Sequence, residues 1–133
     1  MEQHKLVAEG AGAVPVAAAM FDKIDLKGKK AVCVVSGGNI DVTILSRVIA
    51  RGLLMSGRSC HFNIELVDKP GQLLKVSKII SECGGNVTAV YHEHAPEGSD
   101  VNGCYLTVTL ETRNFEHIHT IKKALTDAGL KLF

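Results

Sequence analysis

The run Cys60-His61-Phe62-Asn63-Ile64-Glu65-Leu66 alternates apolar with polar residues, and Asp68-Lys69-Pro70-Gly71 follows almost at once. A period of two sends Cys60, Phe62, Ile64 and Leu66 to one face of a strand, with His61, Asn63 and Glu65 on the other. Beyond the turn the spacing lengthens to that of a helix. Leu73, Leu74, Val76, Ile79, Ile80 and Cys83 are expected on its inner face, and Gly84-Gly85 ends it as glycine does at a C-cap. Val87, Ala89 and Tyr91 then alternate on a second strand, residues 96–103 read as a polar hairpin loop, and Leu106, Val108 and Leu110 alternate on a third. Asn114 is placed to cap a last helix carrying Phe115, Ile118, Ile121, Leu125 and Ala128 on one face. Residues 130–133 close as a short strand.

The resulting order, βαββαβ, is that of an α+β ferredoxin-like split βαβ unit, and it accounts for residues 56–133. Residues 1–55 have a different texture. Residues 14–21, Val-Pro-Val-Ala-Ala-Ala-Met-Phe, read as a helix apolar on all sides, with Pro15 in its first turn. Residues 31–35 form an apolar run without polar alternation, the pattern of a strand buried on both faces. Residues 41–54 then put Ile44, Leu45, Val48, Ile49 and Leu53 at helical spacing. A strand covered on both faces needs more neighbouring strands and helices than these residues supply, so 1–55 reads as an α/β piece of a larger domain.

The 133 residues carry fifteen Lys+Arg against fourteen Asp+Glu, a formal net charge of +1. That balance gives no electrostatic footprint for nucleic acid or an acidic membrane, and neither is expected as a partner. The apolar stretches are broken well short of a membrane span, and the opening residues are not expected to act as a signal peptide. Cys33, Cys60, Cys83 and Cys104 are scattered singly, without a CxxC pair. They read as four reduced thiols of a cytoplasmic protein, acting as small hydrophobes.

Three segments invite a chemical reading. In 32–40, an apolar strand ends in Ser36-Gly37-Gly38-Asn39 and opens a helix, which exposes the Ser36 hydroxyl at a strand's carboxyl end, where open α/β sheets bind ligands. An ordinary strand-to-helix turn has the same spacing. It is no P-loop, for want of the Gly-Lys-Ser/Thr ending, and Gly10-Ala11-Gly12 fails as a dinucleotide fingerprint because Pro15 stands at its third glycine. At 68–73, Pro70 and Gly71 open a helix whose free N–H groups and positive dipole end attract a carboxylate, while Asp68 suits an ammonium. The alternative there is a plain helix N-terminus used for packing. His92-Glu93-His94 puts two imidazoles on one face of a strand, with Cys104 or His117 as guesses for further zinc ligands; no metal is expected. His117 and His119, two apart on a helix, read as solvated.

Glu9-Gly10-Ala11-Gly12-Ala13, an Ala-rich helix and Ser36-Gly37-Gly38-Asn39 resemble the last section of the catalytic domain of the threonine dehydratases, which are fold type II pyridoxal-phosphate enzymes. Asp68-Lys69-Pro70-Gly71-Gln72-Leu73, followed by Gly84-Gly85-Asn86-Val87, is similar to an ACT regulatory domain. The two occur in the order of the ACT-bearing threonine dehydratases. The resemblance implies a regulatory region at 56–133, preceded at 1–55 by the C-terminal piece of the pyridoxal-phosphate domain. It implies that Ser36 hydrogen-bonds the pyridine nitrogen of the cofactor, with Gly37, Gly38, Asn39 and Glu9 near it, in the parent enzyme. The family's Schiff-base lysine and glycine-rich phosphate cup lie in segments this chain does not match, and Lys5, Lys23, Lys27, Lys29 and Lys30 stand in the wrong context. The chain alone is therefore expected to hold no cofactor, to have no catalytic residue and to be inactive. An effector (isoleucine, valine or threonine) is implied at Asp68, Lys69, Gly71, Gln72, Leu73 and Asn86, across a homo-oligomer of ACT domains. A ligand-free dimerisation module and a free-standing amino-acid-binding protein are the alternatives. His92-Glu93-His94 matches a polar stretch that dehydratase ACT domains carry at this place.

Overall fold

The structure, a computed structural model, describes residues 4–94 and 103–133. It divides into two compact units, Met1–Ile49 and Ala50–Phe133. The expected hairpin loop at 96–103 lies, but for Gly103, outside the described residues.

The second unit has the expected strand–helix order. Its elements are β1 (Ser59–Val67), α3 (Gln72–Glu82), β2 (Asn86–His94), β3 (Gly103–Glu111), α4 (Phe115–Asp127) and β4 (Lys131–Leu132). They follow two helices, α1 (Gly10–Met20) and α2 (Val42–Met55). The four strands form one antiparallel sheet in the order β2-β3-β1-β4. β1 and β3 pair over their full length, from Ser59 opposite Glu111 to Val67 opposite Gly103. That register puts Phe62, Ile64 and Leu66 on the same face as Cys104, Leu106, Val108 and Leu110, all buried. α3 and α4 close this face with Val76, Ile80, Ile121 and Leu125. The other face is polar and half-open: Thr107 Oγ1 donates to Asn63 Oδ1 at 3.0 Å, and Tyr105 meets Phe133 edge to face at 5.1 Å.

Several elements are built as read. Asn114 caps α4 by accepting the His117 N–H at 2.9 Å, and α3 ends at Gly84-Gly85 with the Gly85 N–H bonded back to the Ile80 carbonyl. Others differ. Leu73 and Leu74 are exposed in the first turn of α3 instead of facing inward. Phe115 is exposed as well, and the buried position on that turn of α4 belongs to His117. On β2 the register shifts between Val87 and Ala89, so one extra residue enters the strand and every later side chain changes face. Val90, His92 and His94 therefore stand opposite Val108, Leu106 and Cys104 on the helix-covered face, and Tyr91 points the other way, opposite Thr107.

The first unit departs most from expectation. α1 begins at Gly10, which places Pro15 inside the helix and not in its first turn. Residues 31–35 are not a strand: they have no regular structure, and Val32 is 92% exposed. The physical reason is the one the pattern itself implied, since a doubly buried strand needs ladder partners on its edges and layers on its faces. Neither is built from these residues, and among the described residues of this unit only Gly12 is buried. α2 starts as read, because Asp41 Oδ1 accepts the N–H groups of Thr43 at 2.7 Å and Ile44 at 3.3 Å, together with the Thr43 hydroxyl. No described helix is long and apolar enough to cross a membrane.

Two expectations follow from these contacts. Gly57 is buried at φ 67°, and a Cβ there would lie 2.6 Å from the Phe115 backbone nitrogen. Strain and overlap add, so Gly57→Ala should lower stability by about 2–4 kcal/mol in urea unfolding, and a change below about 0.5 kcal/mol would contradict this packing. The hydrogen bonds from Thr43 and Ile44 hold the Asp41 carboxyl below its usual 3.8. Because the folded value is depressed, this capping contribution is complete above 3.8 and disappears as the pH falls through the lower folded value. A carboxyl NMR titration should place the Asp41 midpoint below 3.8; a midpoint at or above it would mean the cap is not formed.

Candidate functional site

In the first unit the turn Ser36-Gly37-Gly38-Asn39 is joined by residues from the start of α1. The Glu9 N–H donates to the Gly37 carbonyl at 3.1 Å. Gly37 lies against the Glu9 side chain so closely that a Cβ would meet its carboxylate at 2.6 Å. Gly12 is tighter still, since a Cβ there would fall 1.5 Å from the Ser36 carbonyl oxygen. Glycine at 12 is thus a condition for seating the turn on α1. The structure brings Glu9, Ser36 and Gly37 together, with Gly38 and Asn39 as the exposed continuation toward the Asp41 cap. A serine hydroxyl held at such a turn can donate to or accept from a ring nitrogen without adding charge.

In the second unit, Asp68, Lys69 and Pro70 are exposed after β1, and Gly71 at φ 91° leads into α3. No side chain caps this helix, and its first N–H, that of Gln72, turns back to the Lys69 carbonyl at 3.4 Å. Gln72 is half-buried and Leu73 exposed. Asn86 lies elsewhere. It begins β2 opposite Glu111, at the Ser59 end of the sheet, and its Nδ2 donates to Glu111 Oε2 at 2.8 Å. Asp68 follows Val67 at the Gly103 end, so within one chain the two halves of the expected effector site are roughly 25 Å apart along the strands.

What gathers around Asp68 is a different set. His92 Nε2 is 4.0 Å from Asp68 Oδ1 and His94 Nδ1 is 3.7 Å from Asp68 Oδ2. One ligand atom each of Asp68, His92 and Cys104 lies within 4.8 Å of the others. Cys104 is buried, and burial followed by the charge of Asp68 pushes its thiol up from 9.0, so near neutral pH it is protonated. The alternation of β2 as read in sequence sends His92 and His94 away from Cys104, and only the register shift at Val87/Ala89 turns them toward it.

His117, read as solvated and as a guess for a zinc ligand, is neither. It is 4% exposed, its Nδ1 accepts the Arg113 N–H at 3.1 Å, and its Nε2 donates to the Cys83 carbonyl at 2.9 Å. Both ring nitrogens are used, which fixes a neutral tautomer joining α4 to the end of α3. His119 is exposed, as expected. All four cysteines are free thiols.

No family model matches the chain. The L-threonine ammonia-lyase of Thermotoga maritima is 40% identical over 132 residues, which is 99% of this chain and 33% of that enzyme. The L-threonine ammonia-lyase of Geobacter sulfurreducens is 41% identical over 130 residues, covering 97% of this chain and 32% of its own length. An L-threonine dehydratase of Halalkalibacterium halodurans, named as biosynthetic, is 32% identical over 129 residues, 97% of this chain and 30% of its own length. Along 97–99% of its length the chain is thus similar to enzymes named L-threonine ammonia-lyase or L-threonine dehydratase, of whose own length it spans about a third.

Proposed function

We propose that residues 56–133 form an ACT-type regulatory domain, of ferredoxin-like fold, in a cytoplasmic threonine ammonia-lyase. There it senses a small amino acid and joins copies of the chain. The observation that carries this reading is the βαββαβ unit with sheet order β2-β3-β1-β4, set within a chain that threonine ammonia-lyases match over 97–99% of its residues. The parent reaction would be the deamination of threonine to 2-oxobutanoate and ammonia, in which the water lost by elimination is taken up again on hydrolysis, and pyridoxal phosphate, when bound, would supply the electron sink.

In this reading residues 1–55 are part of the cofactor-binding domain. The donor set at its turn fits one edge of the cofactor, because Ser36 is exposed and neutral, and Gly12 and Glu9 hold its backbone in place. Its hydroxyl would face the pyridine nitrogen, and a hydroxyl does not keep that nitrogen protonated as a carboxylate would. The exposed apolar side chains of α1, α2 and 31–35 would be covered by the rest of that domain.

The amino acid would sit between two chains. β2 is an edge strand with one side unpaired along Asn86–His94. Antiparallel pairing of two such edges would bring Asn86 of one chain to the Asp68 end of its partner's sheet, closing a distance that a single chain leaves open. The helix N-terminus at Gly71 would take the carboxylate, Asp68 the ammonium, and Asn86 would offer a donor and an acceptor. The unpaired edge also favours a second reading, a module that only joins copies and binds no effector.

Screening isoleucine, valine and threonine for thermal stabilisation separates the two. A ligand at a hundred times its Kd should add about 2.7 kcal/mol, and Asn86→Ala should weaken its binding by about 1–2 kcal/mol. No stabilisation by any of them would leave the joining module, and a titration unchanged by Asn86→Ala would place the site elsewhere. Light scattering at micromolar concentration should give the mass of a dimer or larger, and a monomer mass would contradict the pairing on which both readings rest.

A further inference from the structure

The end of the sheet at Asp68 carries an arrangement that an amino-acid sensor does not need. Asp68 leaves the end of β1, His92 and His94 end β2, and Cys104 begins β3. All four lie on the helix-covered face: His94 is directly opposite Cys104, Cys104 opposite Leu66, and Asp68 two residues beyond Leu66. The ligand atoms of Asp68, His92 and Cys104 converge to within 4.8 Å of one another, and His94, outside that cluster, reaches Asp68 at 3.7 Å; this distance and the 4.0 Å from His92 to Asp68 are longer than hydrogen bonds. A simple ion pair would be expected to close to hydrogen-bonding distance with one imidazole. Here the carboxylate stands between two of them, beside a buried sulfur.

We propose that Asp68, His92, His94 and Cys104 form a binding site for one divalent transition-metal ion of the zinc class. The donor types select that class: one thiolate, two imidazoles and one carboxylate are too soft a set for magnesium or calcium and match the borderline cations. The charges agree as well, because a carboxylate and a thiolate neutralise a dication, and the ion displaces the Cys104 proton to solvent as it binds. With bonds of about 2.0–2.3 Å, tetrahedral ligands stand about 3.3–3.8 Å apart. The 4.8 Å span of Asp68, His92 and Cys104 therefore needs to contract by about 1 Å, through side chains of which only Cys104 is buried. The β2 register shift gives this geometry a definite origin, since without it the histidines would face away from Cys104. A bound ion would fasten the ends of β1, β2 and β3 to one another beside the turn that opens α3. The inference does not depend on an amino-acid effector, although the two would compete for Asp68.

Cobalt(II) reads this site directly, because a thiolate bound to cobalt gives near-ultraviolet charge transfer and a tetrahedral site gives intense visible bands. The full chain, stripped with a chelator and kept reduced, is titrated with cobalt and then with zinc. The expected result is both sets of bands, saturating at one equivalent per chain and abolished by zinc. Cys104→Ser should remove the charge-transfer band. His92→Ala and His94→Ala should each weaken binding at least about tenfold; His94 is 84% exposed, so its substitution leaves the fold intact. A cobalt spectrum without the thiolate band, a band that survives Cys104→Ser, or an affinity unchanged by both histidine variants would overturn the proposal.

Discussion

The pairing of β1 with β3 is the constraint on which the second unit depends. Nine consecutive residue pairs bring Phe62, Ile64 and Leu66 onto the face that Cys104, Leu106, Val108 and Leu110 share, and a slip of one residue would send one of these sets to solvent. Every other element answers to that face. α3 and α4 cover it with Val76, Ile80, Ile121 and Leu125, and β2 and β4 add on either side. The connections are fastened at its ends: the Thr112 hydroxyl donates to the Gly57 carbonyl at 2.7 Å, and the Lys75 ammonium reaches the Ala128 carbonyl at 3.0 Å.

Much of this was legible because the signals were local. The alternation of 60–66, the turn at 68–71, the glycines at 84–85 and the cap at Asn114 each report a backbone state that neighbouring residues decide. What escaped the sequence was decided by partners distant in the chain. The register shift on β2 has no marker in Val87-Thr88-Ala89; it exists only against β3, where the Thr88 hydroxyl bonds to the Thr109 carbonyl at 3.2 Å. His117 is polar by type, and its burial depends on two backbone partners, at Arg113 and Cys83, of which the second is 34 residues away. Leu73 and Leu74 fit a helical stripe, yet they lie on the first turn of α3, where they stay exposed.

The candidate sites divide along the same line. Glu9, Ser36 and Gly37 were named from a resemblance, and their meeting rests on two glycines that leave no room for a Cβ. Asp68 was named for an ammonium and Asn86 for the same ligand, but one chain holds them at opposite ends of its sheet, so a shared ligand requires a second copy. His92 and His94 read in sequence as one pair, with Cys104 or His117 as a guess for a further ligand, and one extra residue in β2 is what turns the pair toward Cys104 and Asp68. A single backbone irregularity thus decides which chemistry the Gly103 end of the sheet can support.

The central claim is a division of labour. The second unit has a buried core of its own, whereas Met1–Ile49 leaves its apolar side chains largely exposed. Amide hydrogen exchange over the whole chain tests this most directly. The account predicts that Phe62, Ile64, Leu106 and Val108 exchange only through global unfolding, while amides in 31–35 exchange at nearly the rate of an open chain. Strong protection at 31–35, or β1 and β3 amides exchanging as fast as those of 31–35, would contradict it.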